Sequence, residues 1–199
     1  MKMDAEKYLN TYLEDLRIVI EKLDVDKVIQ IYYKLNEVRN QNGKIFVFGN
    51  GGSAATASHA ICDLSKNTRT PKNKRLKVIG LNDNMATFSA YANDEGYENS
   101  LKEQIISLGD RGDLAIAISG SGNSINVIRA VEAAKEKGVF TVGITAFQGG
   151  KLKNVADLTI VVPSNDMEIA EDIHLVIIHM LTGLLRGNRY DCISMENPI

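Results

Sequence analysis

The sequence predicts an α/β protein, a three-layer α/β/α sandwich on a five-stranded parallel sheet with an N-terminal helical hairpin. Two observations lead to this fold. Five short apolar runs have the length of buried strands, and most of them are rich in valine or isoleucine. Helix-like stretches separate nearly all of these runs, an alternation that is typical of a parallel sheet covered by helices on both faces.

The elements follow in order along the chain. Two helical patterns come first: one carries an apolar set at helical spacing, and the second covers 25–39. The first set is Tyr8, Leu9, Tyr12, Leu13, Leu16 and Ile20. Strands are expected at 45–48, 76–81, 114–118, 140–144 and 158–162, and further helices around 53–66, 84–107, 124–137 and 167–185. We expect one domain, with the hairpin in 1–42, the α/β core in 43–186 and a tail in 187–199.

Composition narrows the classes of function. The chain has 199 residues, of which 44% are hydrophobic and 24% charged, so it can bury a sizeable core. Its net charge is −2 and it shows no long basic face, so we expect no nucleic-acid partner. No apolar run approaches the roughly 20 residues that span a bilayer, and the N-terminus does not resemble a signal peptide. Only Cys62 and Cys192 are cysteines, which fits a cytoplasmic location without membrane attachment.

A glycine-rich loop, Gly49–Ala55, joins the first predicted strand to a helix. Glycine lets the backbone approach a ligand closely, and the free amides at a helix N-terminus favour an anion. An unliganded turn is the alternative. The loop also fits a loose dinucleotide-binding pattern, which expects an acidic residue about 20 positions later to hold a ribose hydroxyl; the nearest candidate, Asp83, comes considerably later, so nucleotide binding is the second choice. No Gly-Lys-Ser/Thr follows, so the pattern of a P-loop is not met.

A second loop, Ser119–Ser124, follows the third predicted strand and precedes another helix. Three hydroxyls, two glycines and the helix amides provide a neutral cradle for a phosphate monoester. The alternative is a simple serine–glycine turn that caps the helix. We favour the phosphate cradle, because a cap alone does not require so many hydroxyls.

Histidines and carboxylates recur on two predicted helices. His59 and Asp63 are four residues apart and share one helix face, a spacing that suits a common metal ion. Glu171 and His179 are eight apart, roughly 80° around the helix axis, and His174 flanks them. Two imidazoles and two carboxylates suit a borderline cation such as zinc. Each pair alone also fits a solvated helix contact or a core histidine.

Taken together, these motifs resemble the SIS (sugar isomerase) domain family, and more closely its phosphoheptose isomerase branch. The motifs that carry the resemblance are Gly49–Ala55 with His59, the segment 92–97, Ile118–Ser124, Gly149-Gly150, 162–164, and 171–174 with His179. The resemblance covers nearly the whole chain. It implies a flavodoxin-like SIS fold and a ketose–aldose isomerase that converts sedoheptulose 7-phosphate to an aldoheptose 7-phosphate. It also implies a homotetramer with active sites built across subunit contacts.

The resemblance also assigns roles to particular residues. It implies one zinc ion per subunit, held by His59, Asp63, Glu171 and His179. Asp63 corresponds to the catalytic base and His179 to its acid–base partner. The substrate-binding positions that correspond are Asn50, Gly51, Gly52, Ser53, Asp94, Ser119, Ser121 and Ser124, of which the last three would hold the phosphate.

Three positions depart from the family pattern. Asp63 and Glu171 stand where the family usually has glutamate and glutamine, and Asn67 stands where an arginine is expected. The substrate could therefore differ from sedoheptulose 7-phosphate. The alternative is a non-catalytic SIS protein, a sugar-phosphate sensor or a protein-binding module like the paralogue that contacts the replication initiator. Segment 80–84 looks somewhat like that branch, whereas His179, which that branch tends to lose, is present.

Overall fold

The computed structural model describes residues 4–71 and 73–187. Its strands are β1 (Lys44–Phe48), β2 (Lys77–Gly80), β3 (Leu114–Ser119), β4 (Phe140–Thr145) and β5 (Leu158–Val161). The α-helices of this described part are α1 (Ala5–Glu21), α2 (Val25–Asn40), α3 (Gly52–Cys62), α4 (Met85–Asp94), α5 (Lys102–Leu108), α6 (Ile125–Glu136), α7 (Leu152–Val155) and α8 (Met167–Arg186). A π-helical turn at Asp63–Asn67 continues α3, and a 3₁₀ turn covers Tyr97–Asn99.

The strands form one parallel sheet in the order β2-β1-β3-β4-β5, which confirms the predicted fold class. Ile45 of β1 lies opposite Val78 of β2 on one side and Leu114 of β3 on the other. The chain leaves β1 towards one edge of the sheet and later returns to build β3 on the other side. The carboxyl ends of β1 and β3 therefore flank the crevice where ligands bind in open sheets of this kind.

Helices cover both faces of the sheet, as the continuous apolar strands predict. Alternate residues of β1 point to opposite faces, so that Ile45 and Val47 join one core cluster, and Phe46 and Phe48 join another. The first cluster draws its helical residues from α2, α3 and α8, with Val19 from α1. The second draws them mainly from α5, α6 and α7. The three-layer arrangement follows from this division.

The helices of the hairpin begin at aspartates. Asp4 and Asp24 accept hydrogen bonds from the backbone amides three residues later, which satisfies amides that the helix itself leaves unpaired. Much of the apolar set on α1 stays exposed, with Leu9 and Leu13 more than 60% exposed. Tyr12 anchors α1 to α8 by donating a hydrogen bond to Asp172 at 2.6 Å, and this bond raises the pKa of Tyr12 to about 12.

Two helical predictions need correction. The stretch 84–107 is not one helix, because the chain bends at Gly96 (φ +90°) and divides into α4, the 3₁₀ turn and α5. The helix expected over 53–66 changes to a wider π turn at Asp63. The short helix α7 has no counterpart among the predictions.

None of the described helices is both long and apolar enough to cross a membrane. The division into one domain with a hairpin, core and tail stays a prediction. Residues 188–199 of the predicted tail, including Cys192, lie outside the described residues.

Candidate active site

The two predicted ligand loops meet at the crevice between β1 and β3. Gly49 leaves no room for a side chain, since a Cβ there would lie 2.7 Å from the Ile118 carbonyl oxygen. The backbone amide of Gly49 also donates to Asn82 Oδ1 at 3.2 Å. Gly51 then caps α3 with a positive φ of 54°. The glycine loop is therefore fixed tightly against the end of β3.

The serine loop places two hydroxyls side by side at the start of α6. Ser119 Oγ and Ser124 Oγ lie 3.4 Å apart. Ser124 is the N-cap of α6, but its side chain makes no capping hydrogen bond, so its hydroxyl is not committed to the helix. Ser121 Oγ accepts from the Asn123 amide at 3.2 Å. Together with the first amides of α6, these hydroxyls form an uncharged group of donors suited to an anion.

A pair of asparagines joins the two loops. Asn50 Nδ2 donates to Asn126 Oδ1 at 2.8 Å, and Asn126 Nδ2 donates back to Asn50 Oδ1 at 2.9 Å. The Tyr97 hydroxyl donates to the same Asn50 oxygen at 2.9 Å. Asn126 is almost completely buried in the first turn of α6. This network sets the spacing between the glycine loop and the serine loop.

The histidines of two distant helices meet. His179 Nε2 on α8 lies 3.0 Å from His59 Nε2 on α3, and the rings pack edge to face with centroids 5.0 Å apart. Asp63 Oδ2 lies 3.5 Å from each of these nitrogens. Both imidazoles are about half exposed, whereas the Asp63 side chain is only 11% exposed. One side of the cluster therefore faces solvent while the carboxylate forms its buried floor.

The π turn orients the carboxylate. It begins at Asp63 and ends at Asn67, whose side-chain amide donates to Asp63 Oδ1 at 2.8 Å. The carboxylate therefore has one oxygen held by its own turn and the other directed at the two histidines. Inserted π turns of this kind are frequent at functional sites.

Glu171 lies elsewhere in the structure. A Cβ added to Gly52 would collide with both carboxylate oxygens of Glu171, so that carboxylate lies directly against the first residue of α3. Among the described residues, the group whose ligand atoms lie within 4.8 Å of one another contains His59, Asp63 and His179, without Glu171. Glu171 as a metal ligand therefore stays a prediction.

The chemistry of the cluster fits a zinc ion. Two imidazole nitrogens and one carboxylate oxygen are ligands that zinc prefers, and three protein ligands are usual in catalytic sites. A zinc ion bound tetrahedrally at about 2.0–2.1 Å from each ligand holds the ligand atoms roughly 3.3 Å apart. The observed separations of 3.0, 3.5 and 3.5 Å agree with this spacing. No other group of three or more such side chains appears in the described part of the chain.

The remaining predicted positions are less closely connected to this cluster. Ser53 is buried in the first turn of α3. Asp94 is exposed at the end of α4, where it accepts from Asn93 at 2.7 Å and lines a surface pocket that contains no other predicted site residue. Asp83, considered for a ribose, instead accepts from Ser58 at 2.9 Å.

His174 is a core residue. It is fully buried on α8, and its burial lowers the pKa to about 4, which keeps the ring neutral at pH 7. The Thr145 backbone lies nearby but makes no hydrogen bond of normal geometry with either ring nitrogen. We therefore assign His174 no part in proton transfer.

Sequence reasoning missed the importance of Asn67, Asn126 and Tyr97. Asn126 carried a detectable signal, because it is a polar residue among the apolar positions at the start of α6. Tyr97 lay within a recognised motif without an assigned role. Asn67 differs in the sequence only as a departure from the family pattern.

Comparison with known proteins identifies the family of this chain. The model of the SIS domain family matches residues 7–146, well over half of the chain. The chain belongs to the SIS domain family. This SIS protein is also similar to named members of the phosphoheptose isomerase branch, as the motifs predict.

Three relatives illustrate the similarity. A probable phosphoheptose isomerase from Thermoplasma acidophilum is 38% identical over 183 residues, which cover 92% of this chain and 98% of the relative. The phosphoheptose isomerase of Helicobacter pylori is 36% identical over 176 residues, covering 88% of this chain and 91% of the relative. The structure of a phosphoheptose isomerase from Francisella tularensis superposes with a TM-score of 0.87 at 26% identity, covering 94% of this SIS protein and 100% of that chain.

Proposed function

We propose that this protein is a metal-dependent aldose–ketose isomerase that converts sedoheptulose 7-phosphate to an aldoheptose 7-phosphate. The meeting of His59, Asp63 and His179 is the observation that carries the proposal, because it brings a carboxylate and two imidazoles to one solvent-facing site. The names of the relatives and the similarity over nearly their full lengths support the substrate.

The reaction requires a base and an acid–base partner. The base removes a proton from C1 of the ketose, which gives an enediol, and the same proton is then delivered to C2. The hydroxyl proton of O1 passes to O2 as the carbonyl moves from C2 to C1. We assign the carbon-bound proton to Asp63 and the oxygen-bound proton to His179, roles for which carboxylate and imidazole are well suited.

Zinc fits the cluster, and His59, Asp63 and His179 would hold it. The proton transfers assigned to Asp63 and His179 use the same side chains, so metal binding and proton transfer compete for these two residues. When bound, zinc polarises the carbonyl and stabilises negative charge on the substrate oxygens. Three protein ligands leave a position open for water or substrate. Glu171 could take this position only after its carboxylate leaves Gly52.

The phosphate group is assigned to the serine loop. Ser119, Ser121 and Ser124 supply hydroxyls, and the start of α6 supplies backbone amides without a side-chain cap. The crevice is bordered on the side of β1, where we place the sugar, by Asn50, Gly51, Gly52 and Ser53.

Sugar phosphates are charged and metabolised inside cells, so we propose a cytoplasmic location.

We also propose self-association into a homotetramer. The helix α1 exposes Tyr8, Leu9 and Leu13. The helix α4, which ends at Asp94, has no buried residue. Apolar surface of this kind is typical of subunit contacts. If α4 packs against a neighbouring subunit, Asp94 would contact the substrate bound to that subunit.

Metal analysis and a substrate panel test the proposal. Purified protein should carry about one zinc per chain, and chelation should abolish turnover of a ketose 7-phosphate. His179→Ala should lower turnover by about 10²-fold or more, with phosphate affinity retained. The control Leu184→Ala changes an exposed residue of the same helix and should retain turnover.

Two results would count against the isomerase. Unchanged turnover in His179→Ala contradicts the role of that residue. Zinc-loaded protein that binds sugar phosphates but converts none of a panel of ketose phosphates supports the non-catalytic sensor or protein-binding module instead.

A further inference from the structure

We propose that Asn67 is a positioning residue that leaves a single oxygen of Asp63 available to the metal site. The inference rests on the proposed function, and it concerns a position at which this chain departs from the arginine that the family resemblance predicts. Its basis is the π turn and the hydrogen bond within it.

The two oxygens of Asp63 have different partners. Oδ1 accepts from Asn67 Nδ2 at 2.8 Å, while Oδ2 lies 3.5 Å from the Nε2 atoms of both histidines. Because Asp63 is only 8% exposed, water has little access to replace a lost donor. Without the amide, the carboxylate is free to rotate and to offer either oxygen. Asn67 therefore selects Oδ2 as the oxygen that binds.

The turn has anchors that do not depend on Asn67. Leu64 is fully buried in the core, and Thr68 Oγ1 donates to its carbonyl at 2.6 Å. The π turn should therefore persist when the Asn67 side chain is shortened. Loss of the amide then becomes a local change at the carboxylate.

The amide suits this role better than a cation does. A guanidinium pairs with both oxygens of a carboxylate and reduces its charge towards a metal. Asn67 is neutral, and the bond seen here engages Oδ1 alone. Asp63 thus has no cation paired with it at this position and keeps one oxygen directed at the histidines. Partners that orient a metal ligand in this way commonly contribute 10–100-fold in metal affinity.

The test measures metal binding to the full chain separately from catalysis. Wild type, Asn67→Ala and Asn67→Gln are stripped with a chelator, and their zinc affinities are measured by competition with a chromophoric chelator. We expect zinc affinity to fall about 10–100-fold in Asn67→Ala, with partial recovery in Asn67→Gln, which retains the amide. The absorption spectrum of bound Co²⁺ should change in Asn67→Ala because the geometry of the carboxylate changes.

Asn36→Ala is the matched control. Asn36 is also a helical asparagine, and its amide donates to the carbonyl four residues earlier, Tyr32, at 3.2 Å. It should bind zinc as the wild type does, and circular dichroism should show that every variant is folded.

Zinc affinity of Asn67→Ala within twofold of wild type, with an unchanged Co²⁺ spectrum, overturns the inference. Absence of zinc binding by the wild type overturns it as well. Weakened zinc binding in Asn67→Ala alongside a wild type that isomerises no ketose phosphate supports the positioning role and contradicts the proposed function.

Discussion

The glycine loop after β1 and the serine loop after β3 share one design but differ in what lies over them. Each follows a buried strand, turns through glycine and opens a helix whose first amides are unpaired within the helix. At α3, the carboxylate of Glu171 lies against Gly52. At α6, the Ser124 side chain leaves the helix uncapped, and its hydroxyl lies 3.4 Å from that of Ser119.

The difference indicates which of the two helix N-termini the rest of the fold leaves free for an external anion. The start of α3 is already next to a negative group, which repels a phosphate. The start of α6 has hydroxyls in place of a carboxylate. This asymmetry favours the proposed placement of a substrate's phosphate at the serine loop and of its sugar at the glycine loop.

The largest expected effect concerns the backbone of the serine loop. Gly122 has a φ of +64°, and a Cβ there would collide with the carbonyl oxygen of Gly149. Gly122→Ala combines this collision with the strain of a left-handed backbone. We expect the free energy of unfolding, measured by urea denaturation, to fall by about 3 kcal/mol or more.

Two other glycines distinguish the effect of the collision from the effect of the backbone strain. Gly51 also has a positive φ, of 54°, but a Cβ there meets nothing within 4 Å, so Gly51→Ala should cost only about 1–2 kcal/mol. Gly183 in α8 has neither problem, and Gly183→Ala should stabilise the protein by up to about 1 kcal/mol. Equal costs at Gly51 and Gly122 would show that the serine loop is not braced by Gly149.

An effect of intermediate size is expected on substrate affinity when a hydroxyl of the serine loop is removed. Ser124→Ala removes one donor from the anion cradle, and a hydrogen bond to a charged group contributes about 1.5–3 kcal/mol. The affinity for a ketose phosphate, measured by calorimetry, should therefore fall about tenfold or more. Ser89→Ala is the control, because that hydroxyl donates to a carbonyl of the exposed helix α4. Equal affinities in the two variants would remove the serine loop as the phosphate site.

The fold was predictable because its signals are local. Strands such as β3 are continuously apolar and fully buried, and alternation with helices specifies a parallel sheet. The π turn at Asp63 gave no comparable signal, since its residues also fit an ordinary α-helix. Its presence became clear only from the structure.

The histidine cluster was partly predictable. The family resemblance predicted that His59, Asp63, Glu171 and His179 lie together, and helical spacing placed Glu171 near His179, whereas the structure groups only His59, Asp63 and His179. Eight residues of helix separate Glu171 from His179 by about 12 Å along the axis. Because α3 and α8 run side by side, Gly52 faces Glu171 and His59 faces His179.

The Asn50–Asn126 pair joins positions 76 residues apart, and no local pattern predicts such a contact.

The smallest expected effect tests the carboxylate at α3. In metal-free protein, Glu171→Gln removes a negative charge from the amino end of that helix and should lower the free energy of unfolding by about 0.5 kcal/mol. The difference should shrink as salt is raised, because exposed charges are screened. Glu132→Gln, in the middle of the exposed face of α6, should change stability less. If Glu171→Gln instead stabilises the metal-free protein, the carboxylate is not a favourable partner of α3, and the contrast between the two loops rests on the serine hydroxyls alone.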